Sequence, residues 1–165
     1  METKRGPRSS RLRELLGTRS EPVAITFRDT PPDGLARVER AGAASCSYWR
    51  MAAEGRSFYT TAEDHLHCPV GAVTHGAELS AAGREDLERI VTMMLDLSYL
   101  TMDDVRALPR RESSLRVAVY EPLAECAGLP DVVLVRGTAR QMMLLAEAAQ
   151  RAGLLDGGAT MGRPT

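Results

Sequence analysis

A chain of 165 residues has room for one domain, and its 44% hydrophobic content gives that domain a core to bury, which excludes wholesale disorder. A formal net charge of -1 excludes the overall basic footprint of a nucleic-acid-binding protein. No apolar run approaches the roughly 18 residues that span a bilayer, so neither nucleic acid nor membrane is an expected partner.

The first 13 residues carry Lys4, Arg5, Arg8, Arg11 and Arg13 with no apolar segment behind them. Residues 1–9 therefore read as a flexible, solvated basic tail, and residues 10–165 as a single domain. Residues 10–16 (SRLRELL) have helical spacing, with Gly17 as the stop. Residues 22–27 (PVAITF) are β-rich and open with a proline, as an edge or first strand can. The turn-rich segment 28–34 (RDTPPDG) is expected to be exposed. A helix over 45–54, ended by Gly55, precedes a short strand over 57–61.

Residues 62–76 (AEDHLHCPVGAVTHG) hold all three histidines, Cys68, and Pro69 placed to start a helix. Residues 84–100 place Leu87, Ile90, Val91, Met94, Leu95 and Leu97 at helical spacing. A short helix capped by Thr101 and Asp104 follows, closed by Pro109. Residues 115–120 (LRVAVY) alternate in the strand period. The continuous run 131–135 (DVVLV) predicts a central strand buried on both faces, with LRVAVY beside it. Thr138 is a good N-cap for a helix to about Ala152, with Gly153 after its end. Together these elements predict an α+β fold, a mixed sheet with helices packed on it.

Chemistry concentrates around His65, His67, Cys68 and His75. Imidazole and thiolate suit zinc, copper or iron. If Pro69 starts a helix, Cys68 is its N-cap, where the helix dipole favours a thiolate as nucleophile or ligand. Asp64 could orient an imidazole. The alternative is that Cys68 is a small buried hydrophobe and the histidines are surface or capping residues, since the H-x-H-C spacing matches no standard zinc pattern. Cys46, beside Tyr48 and Trp49, either converges on Cys68 or packs in the core. Cys126 reads as incidental, and the methionine pairs at 93–94 and 142–143 as core filler. Three cysteines, odd in number and without a secretory signal, predict free thiols in the cytoplasm. No G-x-G-x-x-G, G-x-x-x-x-G-K-[ST], G-x-S-x-G, H-E-x-x-H or C-x-x-C occurs. The junction VRGTARQ could hold an anion on backbone N–H groups, with Arg136 or Arg140 assisting.

Three segments together resemble domain-of-unknown-function family 169, an uncharacterised bacterial and archaeal group: EPVAITF, CSYWRMAAEGRSFYTTAEDHLHCPVGAVTHG and LPDVVLVRGTARQMMLLAEAAQ. The resemblance spans about residues 10–165. Cys46, Trp49, Glu54, Gly55, Tyr59, Asp64, Cys68, Pro69, Gly71 and Ala72 match its recurring pattern. It implies that Cys46 and Cys68 act together, with His65 and His67 less constant. Members run tens of residues further and carry more cysteines there, whereas this chain stops at MGRPT. Against the family the chain is then naturally short, truncated, or one fragment of a split or processed protein, and self-association or a second chain supplying the remainder is expected.

The resulting expectation is a thiolate-centred enzyme or metalloprotein. Cys68, Asp64 and Tyr59 would be catalytic, and Cys46, Cys68 and His65 would hold a metal ion or iron–sulfur cluster. Trp49, Gly71, Gly137 and Arg140 would contact a small molecule. The competing expectation is a non-catalytic module binding a small anionic metabolite or cofactor at the Gly71 and Gly137 turns.

Overall fold

Two β-rich runs, β1 (Val23–Arg28) and β3 (Val117–Pro122), pair antiparallel along their full lengths, from Val23 opposite Pro122 to Arg28 opposite Val117. They form the middle of the fold in a computed structural model that describes residues 8–39, 44–108 and 110–154. On one side, β2 (Phe58–Thr61) joins β3 with Phe58 opposite Tyr120; on the other, β4 (Val132–Leu134) joins β1 with Val23 opposite Leu134. The order is β2-β3-β1-β4, with every strand pair antiparallel, while residues 36–38 add a parallel bridge to the outer side of β2. Six helices accompany the sheet among the described residues: α1 (Arg8–Leu16), α2 (Cys46–Ala53), α3 (Pro69–Thr74), α4 (Ala81–Asp96), α5 (Met102–Ala107) and α6 (Ala139–Arg151). The expected α+β domain is therefore present. Residues 1–7 of the expected basic tail, and the chain end at 161–165, lie outside the described residues.

Strand alternation sorts the sheet into two faces. Val23, Ile25, Phe58, Ala118 and Tyr120 meet Tyr48 and Ala52 of α2 and Ala72 of α3 in the hydrophobic core. Burying each large apolar side chain there contributes about 1.5–3 kcal/mol. On the opposite face Thr26, Val119 and Glu121 are roofed by loop residues Pro32, Leu35 and Leu129.

Two expectations for the run 131–135 are overturned. The run 131–135 is not central: among the described residues β4 pairs with β1 alone and ends the sheet, and Val132 and Val133 are 42% and 45% exposed. The segment opening with Pro22 is the first strand, one of its two expected placements, and lies inside the sheet rather than at its edge. A continuous apolar run shows that both faces of a strand tolerate apolar neighbours; it does not say how many strands flank it. Pro22 precedes the first paired residue, so its missing N–H removes no ladder bond. β4 is also not next to LRVAVY, because β1 lies between them.

Helix ends follow the local signals. Thr101 with Asp104 and Thr138 with Gln141 form reciprocal capping boxes, and the Ser80 hydroxyl accepts from the Gly83 N–H. α4 closes with the Ser98 N–H on the Leu95 carbonyl and the Tyr99 N–H on the Met94 carbonyl, both 2.9 Å. This closure puts Ser98 at φ 54, a left-handed position that favours glycine. Replacing Ser98 with Gly should raise the unfolding free energy by about 0.5–1 kcal/mol, read as a higher urea midpoint at unchanged slope. A lower midpoint would show that the serine side chain is needed there.

Candidate functional site

His65 ends a short 3₁₀ turn (Ala62–His65) that follows β2 directly, which drives its ring into the core, fully buried. Its Nε2 lies 2.9 Å from the Thr60 hydroxyl and its Nδ1 3.0 Å from the Ser45 hydroxyl. The Thr60 hydroxyl donates to the Ala118 carbonyl at 3.4 Å, so it accepts from His65 Nε2–H, and Nδ1 accepts from Ser45. The His75 ring stands 4.5 Å from that of His65. His75 Nδ1 donates to the Gly71 carbonyl at 2.7 Å, so its neutral Nε2 accepts from the Tyr120 hydroxyl at 3.0 Å. Burial, then the neighbouring His75, push the His65 imidazole down to about 3, and burial lowers His75 as well. Burial raises the Tyr120 hydroxyl far above its ordinary range. The network is thus neutral and fully bonded, built to hold elements together rather than to exchange protons.

Asp64 points elsewhere. Arg37 grips its carboxylate through Nε and Nη2, at 3.0 and 3.1 Å, and the Thr61 N–H donates to it at 2.7 Å. Burial pushes the Asp64 carboxyl up, but the Arg37 and Thr61 hydrogen bonds outweigh it and hold the group below its ordinary value. The carboxylate faces a guanidinium rather than an imidazole. Tyr59 alternates with Phe58 and Thr60 and so lies on the loop-covered sheet face, away from His65.

Cys68 is the N-cap of α3, with extended backbone and Pro69 in the first turn, and is half-buried. Cys46 begins α2 and is exposed. α2 and α3 both pack on the core face, so the two thiols share one side of the sheet. A Cβ on Gly71 would overlap the Ser45 side chain and lie 3.2 Å from the Cys68 Sγ. Gly71 therefore lets α3 press against the start of α2 and leaves no space for a ligand. Cys126 is on the opposite face, with Thr26 and Glu121, and burial raises its thiol pKa. The expected metal set does not fit: both His65 nitrogens are engaged by hydroxyls, and among the described residues no group of three His, Cys, Asp or Glu could hold a metal ion.

The Gly137 turn behaves differently from Gly71. It lines a cleft of about 760 Å³ together with Arg19, Arg136, Thr138 and Gln141. The Gln141 carboxamide spans this cleft wall, accepting from the Thr138 N–H and donating to the Gly17 carbonyl, both at 2.8 Å. A Cβ on Gly137 would come within 2.8 Å of the Gln141 Oε1 and the Met142 Cε, the ends of two flexible side chains. The Arg136 guanidinium sits over the Trp49 ring at 5.9 Å. Of the expected ligand contacts, Gly137 is in the cleft, Trp49 supports one of its walls, and Arg140 is exposed on α6 without lining it. Sequence reasoning missed Arg19 and Gln141 here, and Ser45, Thr60 and Tyr120 in the histidine network. Only the capping-box spacing of Thr138 and Gln141 offered a local signal.

The comparisons with known proteins give one match. The family model for domain-of-unknown-function family 169, described as an uncharacterised ArCR group, covers residues 11–153. No curated protein and no solved structure matches the chain.

The buried imidazole makes the fold sensitive to acid. The unfolded chain protonates His65 near its ordinary value of 6.5, whereas the fold resists protonation until about 3. The stabilisation is therefore complete above about pH 6.5 and is lost as pH falls from there towards about 3, with His75 acting in the same sense. Urea midpoints should fall more steeply between about pH 7 and pH 4 in the wild type than in His65→Gln, which carries no titrating ring. Parallel curves for the two proteins would show that His65 does not contribute.

Proposed function

Because the chain belongs to domain-of-unknown-function family 169, whose description names no activity, we propose its function from its own geometry: it binds a small phosphate- or carboxylate-bearing metabolite in the cleft at the start of α6. The observation that carries this reading is that two arginines, Arg19 and Arg136, line one cleft together with Gly137 and Thr138 at the N-terminus of α6. The first N–H groups of a helix, here those of Ala139 and Arg140, have no carbonyl partner inside it, and the helix dipole places partial positive charge at that end. Arginine supplies a planar fork that pairs with either anion. No helix among the described residues is long and apolar enough to cross a membrane, and with its free thiols we place the protein in the cytoplasm.

Titration with inorganic phosphate, pyrophosphate and citrate, followed by thermal unfolding and calorimetry, tests the reading and ranks the two anion types. At about 100 times its Kd a ligand should stabilise the fold by about 2.7 kcal/mol. Arg19→Ala and Arg136→Ala should each weaken binding about tenfold or more, and added salt should weaken it in the intact protein. Saturable binding indifferent to both substitutions would place the ligand elsewhere, and no binding of any of the three anions would count against the cleft.

A second reading rests on Cys68, the half-buried N-cap of α3, as a reactive thiol. Iodoacetamide followed by mass mapping should then modify Cys68 faster than Cys46, although Cys46 is the more exposed. Labelling in order of exposure would leave Cys68 a packing residue.

A further inference from the structure

α4 presents more apolar surface than the other described residues cover. Of its stripe Leu87, Ile90, Val91, Met94 and Leu95, none is fully buried, and Leu87 is the member packed against the core. α4 packs on α3, and its outer side leaves Met93 51% and Leu97 72% exposed, beside a shallow cleft of about 580 Å³ whose rim carries Glu85, Glu88, Arg89 and Asp96. Exposed apolar surface with a charged rim is the usual mark of a docking face.

The charges along the helix select the occupant. A second α4 laid antiparallel, with the two-fold axis between Thr92 and Met93, sets Arg89 of each copy opposite Asp96 of the other, and Thr92 against Met93 at the centre. Sliding the second helix by about one turn in one direction sets Glu85 opposite Asp96, like charge against like. Sliding it the other way leaves Arg89 with no charged counterpart. The Arg89–Asp86 pair within one helix is exposed, at 78% and 51%, and so is weak enough to exchange for the intermolecular pair. A formal net charge of -1 sets up little general repulsion between copies. We propose that the outer face of α4 is the interface of a two-fold homodimer, with Met93 of both copies at its centre, a reciprocal Arg89–Asp96 pair on either side, and Leu97 just beyond each pair, facing Glu88 of the other copy. This interface involves neither α1 nor α6, so it stands or falls independently of the anion cleft.

Light scattering on the full chain over a concentration series should give a mass twice 17.9 kDa that dissociates on dilution. Met93→Glu should yield a monomer with an unchanged far-ultraviolet circular dichroism spectrum. Arg89→Asp and Asp96→Arg should each raise the dimer dissociation constant about tenfold or more, and the double reversal R89D/D96R should restore it. Restoration separates the intermolecular pair from the intrahelical one, because an aspartate at 89 still repels Asp86. A wild type that stays monomeric at every concentration would overturn the proposal. So would a dimer indifferent to these changes, or a double reversal no better than the singles.

Discussion

His65 is held at both ring nitrogens by hydroxyls from different parts of the fold, Ser45 at the start of α2 and Thr60 in β2, and its ring lies against His75 at the end of α3. His75 passes the connection on to Tyr120 in β3. Two imidazoles and three hydroxyls thereby fix two helices to two strands in a core that has little aromatic volume to spare. An imidazole without hydrogen bonds would be costly at this depth, so every partner must be in place at once. Cooperative satisfaction of this kind selects one arrangement of the helices over the many that simple apolar packing allows.

That constraint explains where chemistry can and cannot occur. The same packing that satisfies His65 brings Ser45 and Cys68 together over Gly71 and closes the space between them. The residue types that suggested a metal centre are thus used for cohesion, with the imidazole lone pairs already committed. The open, charged region lies where α6 leans on α1 and Arg19 and Arg136 line a cleft with the start of α6. Cys68 remains at the margin of the rigid network, on a short helix that the network positions but does not enclose.

The well-buried core is formed by the sheet, α2 and α3, while α4, α5 and α6 have no fully buried residue. Their amphipathic sequences promise an apolar neighbour, and the described residues supply only part of one. β4 shows the same imbalance, with two exposed valines at the end of the described sheet. Charged rims on α4 and the shortness of β4 limit how such surface can associate, which favours a defined contact over open-ended strand pairing.

Much of the local structure was legible in the sequence. Helix starts at Pro69, Thr101 and Thr138, the helix end at Gly55, and the strands around residues 23–28, 58–61 and 117–122 follow from periodicity and capping, which act over three or four residues. The N-cap position of Cys68 was legible for the same reason. The order of the strands was not, since VVL reads as apolar on both faces whether one strand or two flank it. Nor was the destination of the histidines: spacing placed them together, but only the fold decided that His65 would meet Ser45 twenty residues away and Thr60, rather than Cys46 or Asp64. Capping and periodicity depend on neighbours along the chain. Burial, hydrogen-bond partnership and the placing of Arg19 and Arg136 in one cleft depend on contacts between segments far apart in sequence, which only the closed tertiary structure brings together.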